Sequence, residues 1–220
     1  MRSQVKILGV LFCTGALGLG GVVFAQTKDD KKPADAKGGA QPGGDEMAKM
    51  MELMKKAATP GEFHNHLKPL VGKWTFTTKY RMSPDGPWEQ STGNAVYKWI
   101  LGGRILVHEV KANPSPDDAM MGGPFEGFGL TGYDNVSKKY FNVWLDNMGT
   151  GMMSSTGSCD SSGKTITYMG DYNDPMTGKV KTVKSILKIA GDDKVVFEMY
   201  DKGPDGKEYA SLEVSYVRAK

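Results

Sequence analysis

From Gly72 onward apolar and polar side chains alternate with a period of two, and turn residues return every eight to fourteen positions. Trp74, Phe76, Thr78, Tyr80 and Met82 fall on one face of the first segment, with Thr75, Thr77, Lys79 and Arg81 on the other. That pattern predicts a half-buried strand, ended by Ser83-Pro84-Asp85-Gly86-Pro87. Further strands are predicted over residues 90–101, 104–111, 125–133, 139–145, 152–158, 165–172, 179–189, 194–200 and 208–217. Gly102-Gly103 reads as a tight hairpin, and Asp134-Asn135, Ser161-Ser162-Gly163, Asp174-Pro175-Met176-Thr177-Gly178, Gly191-Asp192-Asp193 and Gly203-Pro204-Asp205-Gly206 as the later turns. No helix-length pattern separates any two strands, so parallel crossovers are excluded. About ten antiparallel strands in sequence expose two long edges unless the sheet closes. The predicted fold is therefore mainly β, an antiparallel up-and-down β-barrel with a short N-terminal helix. A barrel spanning a membrane is excluded, because the strands after Gly178 carry too many lysines to face lipid.

Upstream of the strands the period changes. Met47, Met50, Met51 and Met54 recur at helical spacing, with Lys49, Glu52, Lys55 and Lys56 off that stripe. This predicts an amphipathic helix over residues 45–61, capped by Asp45, stopped by Pro60-Gly61 and packed through its methionines on its own domain. The helix and connector, residues 45–70, are expected to plug the start of a barrel domain over residues 62–220. Residues 26–44 are Lys, Asp, Pro, Gly, Ala and Gln almost throughout, which predicts a disordered linker. Before it, Arg2 and Lys6 precede an apolar run from Ile7 to Phe24 that is broken by five glycines and ends Val23-Phe24-Ala25. Residues 1–25 thus read as a signal peptide cleaved after Ala25, which makes the protein exported, periplasmic or extracellular, with no stable membrane insertion after cleavage.

Removing Arg2 and Lys6 with that leader takes the net charge from +3 to about +1. A near-neutral chain with mixed signs offers no footprint for nucleic acid. Cleavage also removes Cys13 and leaves Cys159 alone, so no intramolecular disulfide forms and the core must hold the fold. His64, His66 and His108 are the three imidazoles, but they lie in the connector and on the third strand without a ligand-plus-base motif. No metal ligand and no cofactor is assigned. Gly-Xaa-Ser-Xaa-Gly is absent, and no serine has an identifiable histidine partner.

Gly72-Lys73-Trp74 opening the first strand and Arg218 ending the last resemble the calycin superfamily, which includes the lipocalins. The resemblance implies that Trp74 closes one end of the barrel and that Arg218 packs across its indole. The Thr-Asp-Tyr element of lipocalins and a long helix after the barrel are missing. A fuller resemblance, over residues 63–218, is to the exported family known as domain of unknown function 1579. It rests on Gly72-Lys73-Trp74, Leu101-Gly102-Gly103-Arg104, Phe125-Glu126-Gly127, Gly132-Tyr133-Asp134, the run Trp144-Leu145-Asp146-Asn147-Met148-Gly149-Thr150-Gly151, Asp174-Pro175-Met176-Thr177-Gly178, Pro204-Asp205-Gly206-Lys207 and Tyr216-Val217-Arg218. The family implies the fold and brings no activity.

The strand over residues 140–146 has two faces of different kind. Phe141, Val143 and Leu145 are apolar, whereas Tyr140, Asn142, Trp144 and Asp146 are polar and aromatic. If the second face is interior it forms a small-ligand pocket, and if exterior it is ordinary strand surface. The interior reading places Tyr80, Trp99, Arg104, Tyr133, Tyr140, Asn142, Trp144, Asp146 and Asn147 around a ligand. Asp146 and Asn147 either face that ligand from a mouth loop or cap their own turn, and Arg104 pairs with an anionic ligand or with a carboxylate such as Asp146. The expected function is binding of a small amphipathic molecule in the cavity. The alternatives are a hydrolase or isomerase using it, or a structural barrel with a filled interior.

Overall fold

The computed structural model describes residues 43–116, 118 and 123–220; the leader and nearly all of the linker lie outside the described residues. Helix α1 (Gly44–Ala58), a single helical turn α2 (Glu62–Asn65) and a 3-10 turn (Lys68–Leu70) lead into ten strands. These are β1 (Gly72–Tyr80), β2 (Glu89–Ile100), β3 (Ile105–Ala112), β4 (Glu126–Asp134), β5 (Lys139–Asp146), β6 (Met153–Cys159), β7 (Thr165–Asp174), β8 (Lys179–Ile189), β9 (Lys194–Lys202) and β10 (Glu208–Arg218). Each strand pairs with its sequence neighbour, and β10 returns to β1 to close the barrel. The closing register runs from Trp74 opposite Arg218 to Tyr80 opposite Leu212.

Closure at this strand number needs tight curvature, and glycine supplies it in a repeated pattern. Gly93 lies opposite Phe76, Gly129 opposite Trp144, Gly132 opposite Phe141 and Gly157 opposite Tyr168. In each pair the ring folds over the missing side chain, so that an added Cβ would sit 2.5 Å from Phe76 Cζ or 2.9 Å from Tyr168 Cδ1. Aromatic cover of this kind lets a strand bend while the apolar surface stays continuous.

Burial settles the two faces of β5. Tyr140 is fully buried with the inward residues of the other strands, while Leu145 is exposed. Tyr140, Asn142, Trp144 and Asp146 therefore face the lumen.

Three local expectations are corrected. β1 stops at Tyr80, and Met82, placed on that strand by alternation, lies exposed in the turn. Gly102-Gly103 is part of a longer loop, with Leu101, Gly102 and Gly103 at φ 50, 64 and 83°, so Arg104 belongs to the loop rather than to the strand.

The third correction concerns α1. It ends at Ala58, before Pro60-Gly61, and Gly43 rather than Asp45 stands at its N-cap, without a side-chain cap bond. None of its residues is buried, so its methionines do not pack on the barrel. It is held at its C-terminal end, where the Asn135 amide donates to the carbonyls of Lys56, Ala57 and Thr59. The plug is the connector alone: His64, Leu67 and Leu70 are buried in the barrel end.

Candidate functional site

Antiparallel order sorts every strand end to one of two rims. The start of β1, the β2–β3, β4–β5, β6–β7 and β8–β9 turns and the end of β10 share the plugged rim. The other turns form the opposite, open rim, where the β3–β4 loop carries a helical residue, Asp118, among the described positions.

At the plugged rim the side chains grip the connector. The Arg218 guanidinium lies 4.3 Å from the Trp74 ring and donates to the carbonyls of Asp192, Val71 and Pro69. The Trp74 indole donates to Leu70 O at 2.7 Å. Tyr140 hydroxyl meets His66 Nδ1 at 2.7 Å and donates to Phe63 O at 3.2 Å. Tyr133 stacks on Phe63, ring centroids 4.6 Å apart. Trp99 packs against the same core. Tyr133 and Tyr140, placed around a ligand by their sequence, thus hold the plug.

The nine residues expected around one ligand are split between the rims. Arg104 and Tyr133 line a depression of about 270 Å³ beneath the end of α1, whereas Asp146 and Asn147 line another of about 400 Å³ beside β3, β4 and β5 at the open rim. Pairing of Arg104 with Asp146 is corrected accordingly: the start of β3 and the end of β5 lie at opposite ends of the barrel. Arg104 instead donates to Leu101 O. Asp146 accepts from Trp144 Nε1 at 2.9 Å and from the Met148 amide at 3.0 Å, and Asn147 accepts from the Glu126 amide while donating to Pro124 O. Those bonds are the turn-capping role. Asn142 donates to Thr131 Oγ1 within the wall. Tyr80 ends β1 at the open rim.

Between the rims lies a buried cluster that the sequence did not single out: Tyr97, His108, Tyr168 and Tyr216. The His108 ring stacks on Tyr97 with centroids 3.9 Å apart and meets Tyr216 edge-on at 5.8 Å and Trp144 at 5.4 Å. Burial lowers the His108 pKa to about 3, so the imidazole is neutral. Burial likewise pushes Tyr168 and Tyr216 up, and Tyr97 is raised by burial and then by the neighbouring Tyr216. His108 Nε2 and the Tyr168 hydroxyl are buried without a hydrogen-bond partner among the described residues. The available signal for His108 was its parity with Leu106 and Val110, which face inward with it. The other two histidines lie in the plug, with His64 Nδ1 accepting from the Gly61 amide. The three imidazoles do not converge, and among the described residues no group of three or more His, Cys, Asp or Glu is placed to hold a metal ion.

The sequence profile of a family described as protein of unknown function (DUF1579) matches residues 59–218. No curated protein matches the chain at a significant level. Among solved structures, the crystal structure of Rv2717c from M. tuberculosis is similar with a TM-score of 0.53, at 14% identity over 74% of this chain and 100% of that one. A redesigned β-barrel aligns over 75% of this chain and 96% of its own at 17% identity, with a TM-score of 0.37. At such identities the first likeness extends to the fold alone.

Proposed function

The chain belongs to the DUF1579 family, whose description carries no reaction, and we propose from the geometry that this member is an exported protein binding a small, uncharged, amphipathic molecule in the barrel lumen. The observation that carries the reading is the unpartnered pair, His108 Nε2 and Tyr168 hydroxyl. A buried polar group left unsatisfied costs about 1 to 3 kcal/mol, and polar groups of a ligand that reach these two atoms would relieve that cost. The neutral imidazole and the protonated phenol favour an uncharged polar end, since a charge buried beside them would lack a counter-ion. Trp144 and Phe125, stacked at 6.5 Å and only partly buried toward the open rim, offer ring surface to the apolar remainder.

The catalytic alternative finds less support, because His108 Nε2 touches no nucleophile or carboxylate that would make it a working base. Export rests on the leader at residues 1–25, and the near-neutral mature charge favours a small molecule over nucleic acid as partner. Native mass spectrometry of protein purified from its own export compartment tests the reading. The expected result is an adduct of small-molecule mass that is lost on unfolding and weakened by Tyr168→Phe. Protein that arrives ligand-free, or an adduct indifferent to that change, overturns it.

A further inference from the structure

The exposed methionine face of α1 answers to a different chemistry. Met47, Met50, Met51 and Met54 are 43, 45, 64 and 55% exposed, and α1 buries none of its residues. A helix of 15 residues is marginal on its own in water, so a bare apolar stripe on it calls for a partner. The composition of the stripe says which kind. Leucine would bury as much surface with a better defined shape, yet only Leu53 among the large apolar residues of α1 is not methionine. What four methionines add is four thioether sulfurs, which are soft, uncharged donors.

We propose that α1 binds a soft monovalent metal ion, Cu(I), through these thioethers. Residues three and four apart on a helix have Cβ atoms about 5 to 6 Å apart. Met47, Met50 and Met51 form one such triad, and Met50, Met51 and Met54 form a second that shares two members with it. Methionine has three rotatable side-chain bonds and no branch, so three sulfurs of either triad can converge above the helix surface. Thioether donors select Cu(I) over the harder divalent ions, which prefer carboxylate, imidazole or water. Lys49, Glu52, Lys55 and Lys56 stand off the stripe; Glu46, four residues before Met50, flanks it with a hard carboxylate oxygen that a soft ion prefers less than sulfur. The choice of sulfur also suits an oxidising compartment, where cysteines would be lost to disulfides and thioethers are not. Binding transfers the ion from one set of donors to another, with no change of oxidation state and no proton released, because a thioether carries none. The site is independent of the lumen, and its failure would leave the lumen reading untouched.

The test is competition of the purified protein with bicinchoninate for Cu(I) kept reduced by ascorbate. One ion per chain is expected, with sulfur alone in the first shell by X-ray absorption. Affinity should not follow the protonation of an imidazole between pH 5 and 8. Met50→Leu/Met51→Leu removes two donors common to both triads while keeping apolarity and helix propensity. It should lower affinity by more than the roughly tenfold to hundredfold that outer-shell changes to a metal site cost. Cys159→Ser should leave binding unchanged. Absence of uptake by the parent at one equivalent, unchanged binding in the double variant, loss of binding in Cys159→Ser, or nitrogen in the first shell would each overturn the assignment.

Discussion

The plugged rim and the middle of the barrel are built from the same residue types and treat them in opposite ways. At the rim, the Tyr140 hydroxyl bonds His66 and Phe63, the Trp74 indole donates to Leu70, and the Arg218 guanidinium donates to three carbonyls. In the middle, Tyr168 and His108 are also buried and have an atom each with no hydrogen-bond partner among the described residues. Satisfied polar groups specify a unique packing, whereas unsatisfied ones lower stability. The rim is thus the part of the molecule that holds the fold, and the middle the part that gives stability up.

Truncation at the rim should do the most damage. Trp74→Ala removes a fully buried ring, the seat of the Arg218 guanidinium and the bond to Leu70, and should cost about 3 to 5 kcal/mol in denaturant unfolding. A variant that melts like the parent would break the assignment of the rim as the structural end.

Acid should expose the middle. The unfolded chain takes a proton on His108 near the ordinary 6.5, while the native state resists until about 3, so stability falls as pH falls through that window. The loss reaches roughly 4 kcal/mol by pH 3.5. His108→Phe should remove that part of the acid lability, read as a smaller difference between unfolding free energies at pH 7 and pH 3.5. Equal acid lability in the two proteins would mean that His108 is already charged or solvated.

Smaller effects sharpen the contrast along the wall. Gly93→Ala would drive a methyl group into the Lys111 carbonyl and to within 2.5 Å of Phe76 Cζ, for a loss of about 1 to 3 kcal/mol. Tyr140→Phe deletes a satisfied hydroxyl and should cost about 1 kcal/mol, measured in the same way.

The strand order and nearly every turn were legible in the sequence because each turn carries its own chemistry. Asp174, for example, accepts from the Met176 amide and the Thr177 hydroxyl, which is what an aspartate opening that turn predicts. The pairing of Trp74 with Arg218 followed from the calycin resemblance. The inward face of β5 was not legible, since Phe141 and Val143 are as apolar as Tyr140 and Trp144 are aromatic, and only burial decides between them. Helix α1 shows the same limit: periodicity tells which side is apolar and says nothing about what covers it. The split of the expected pocket has another cause. Parity puts Arg104 and Asp146 near the interior but ignores height, and height follows from counting antiparallel strands. The His108 and Tyr168 pair was hidden because an unpaired polar atom is a property of three-dimensional surroundings.

The most direct test of the lumen as a binding site is the same hydroxyl deletion made in the middle. Tyr168→Phe is compared with the parent in urea unfolding at pH 7, both proteins having been refolded from denaturant so that any bound molecule is gone. The unpartnered hydroxyl predicts a midpoint unchanged or raised, in contrast to the fall at Tyr140→Phe. A loss of about 1 kcal/mol or more would show that the Tyr168 hydroxyl already has its partner within the fold, and would contradict the account.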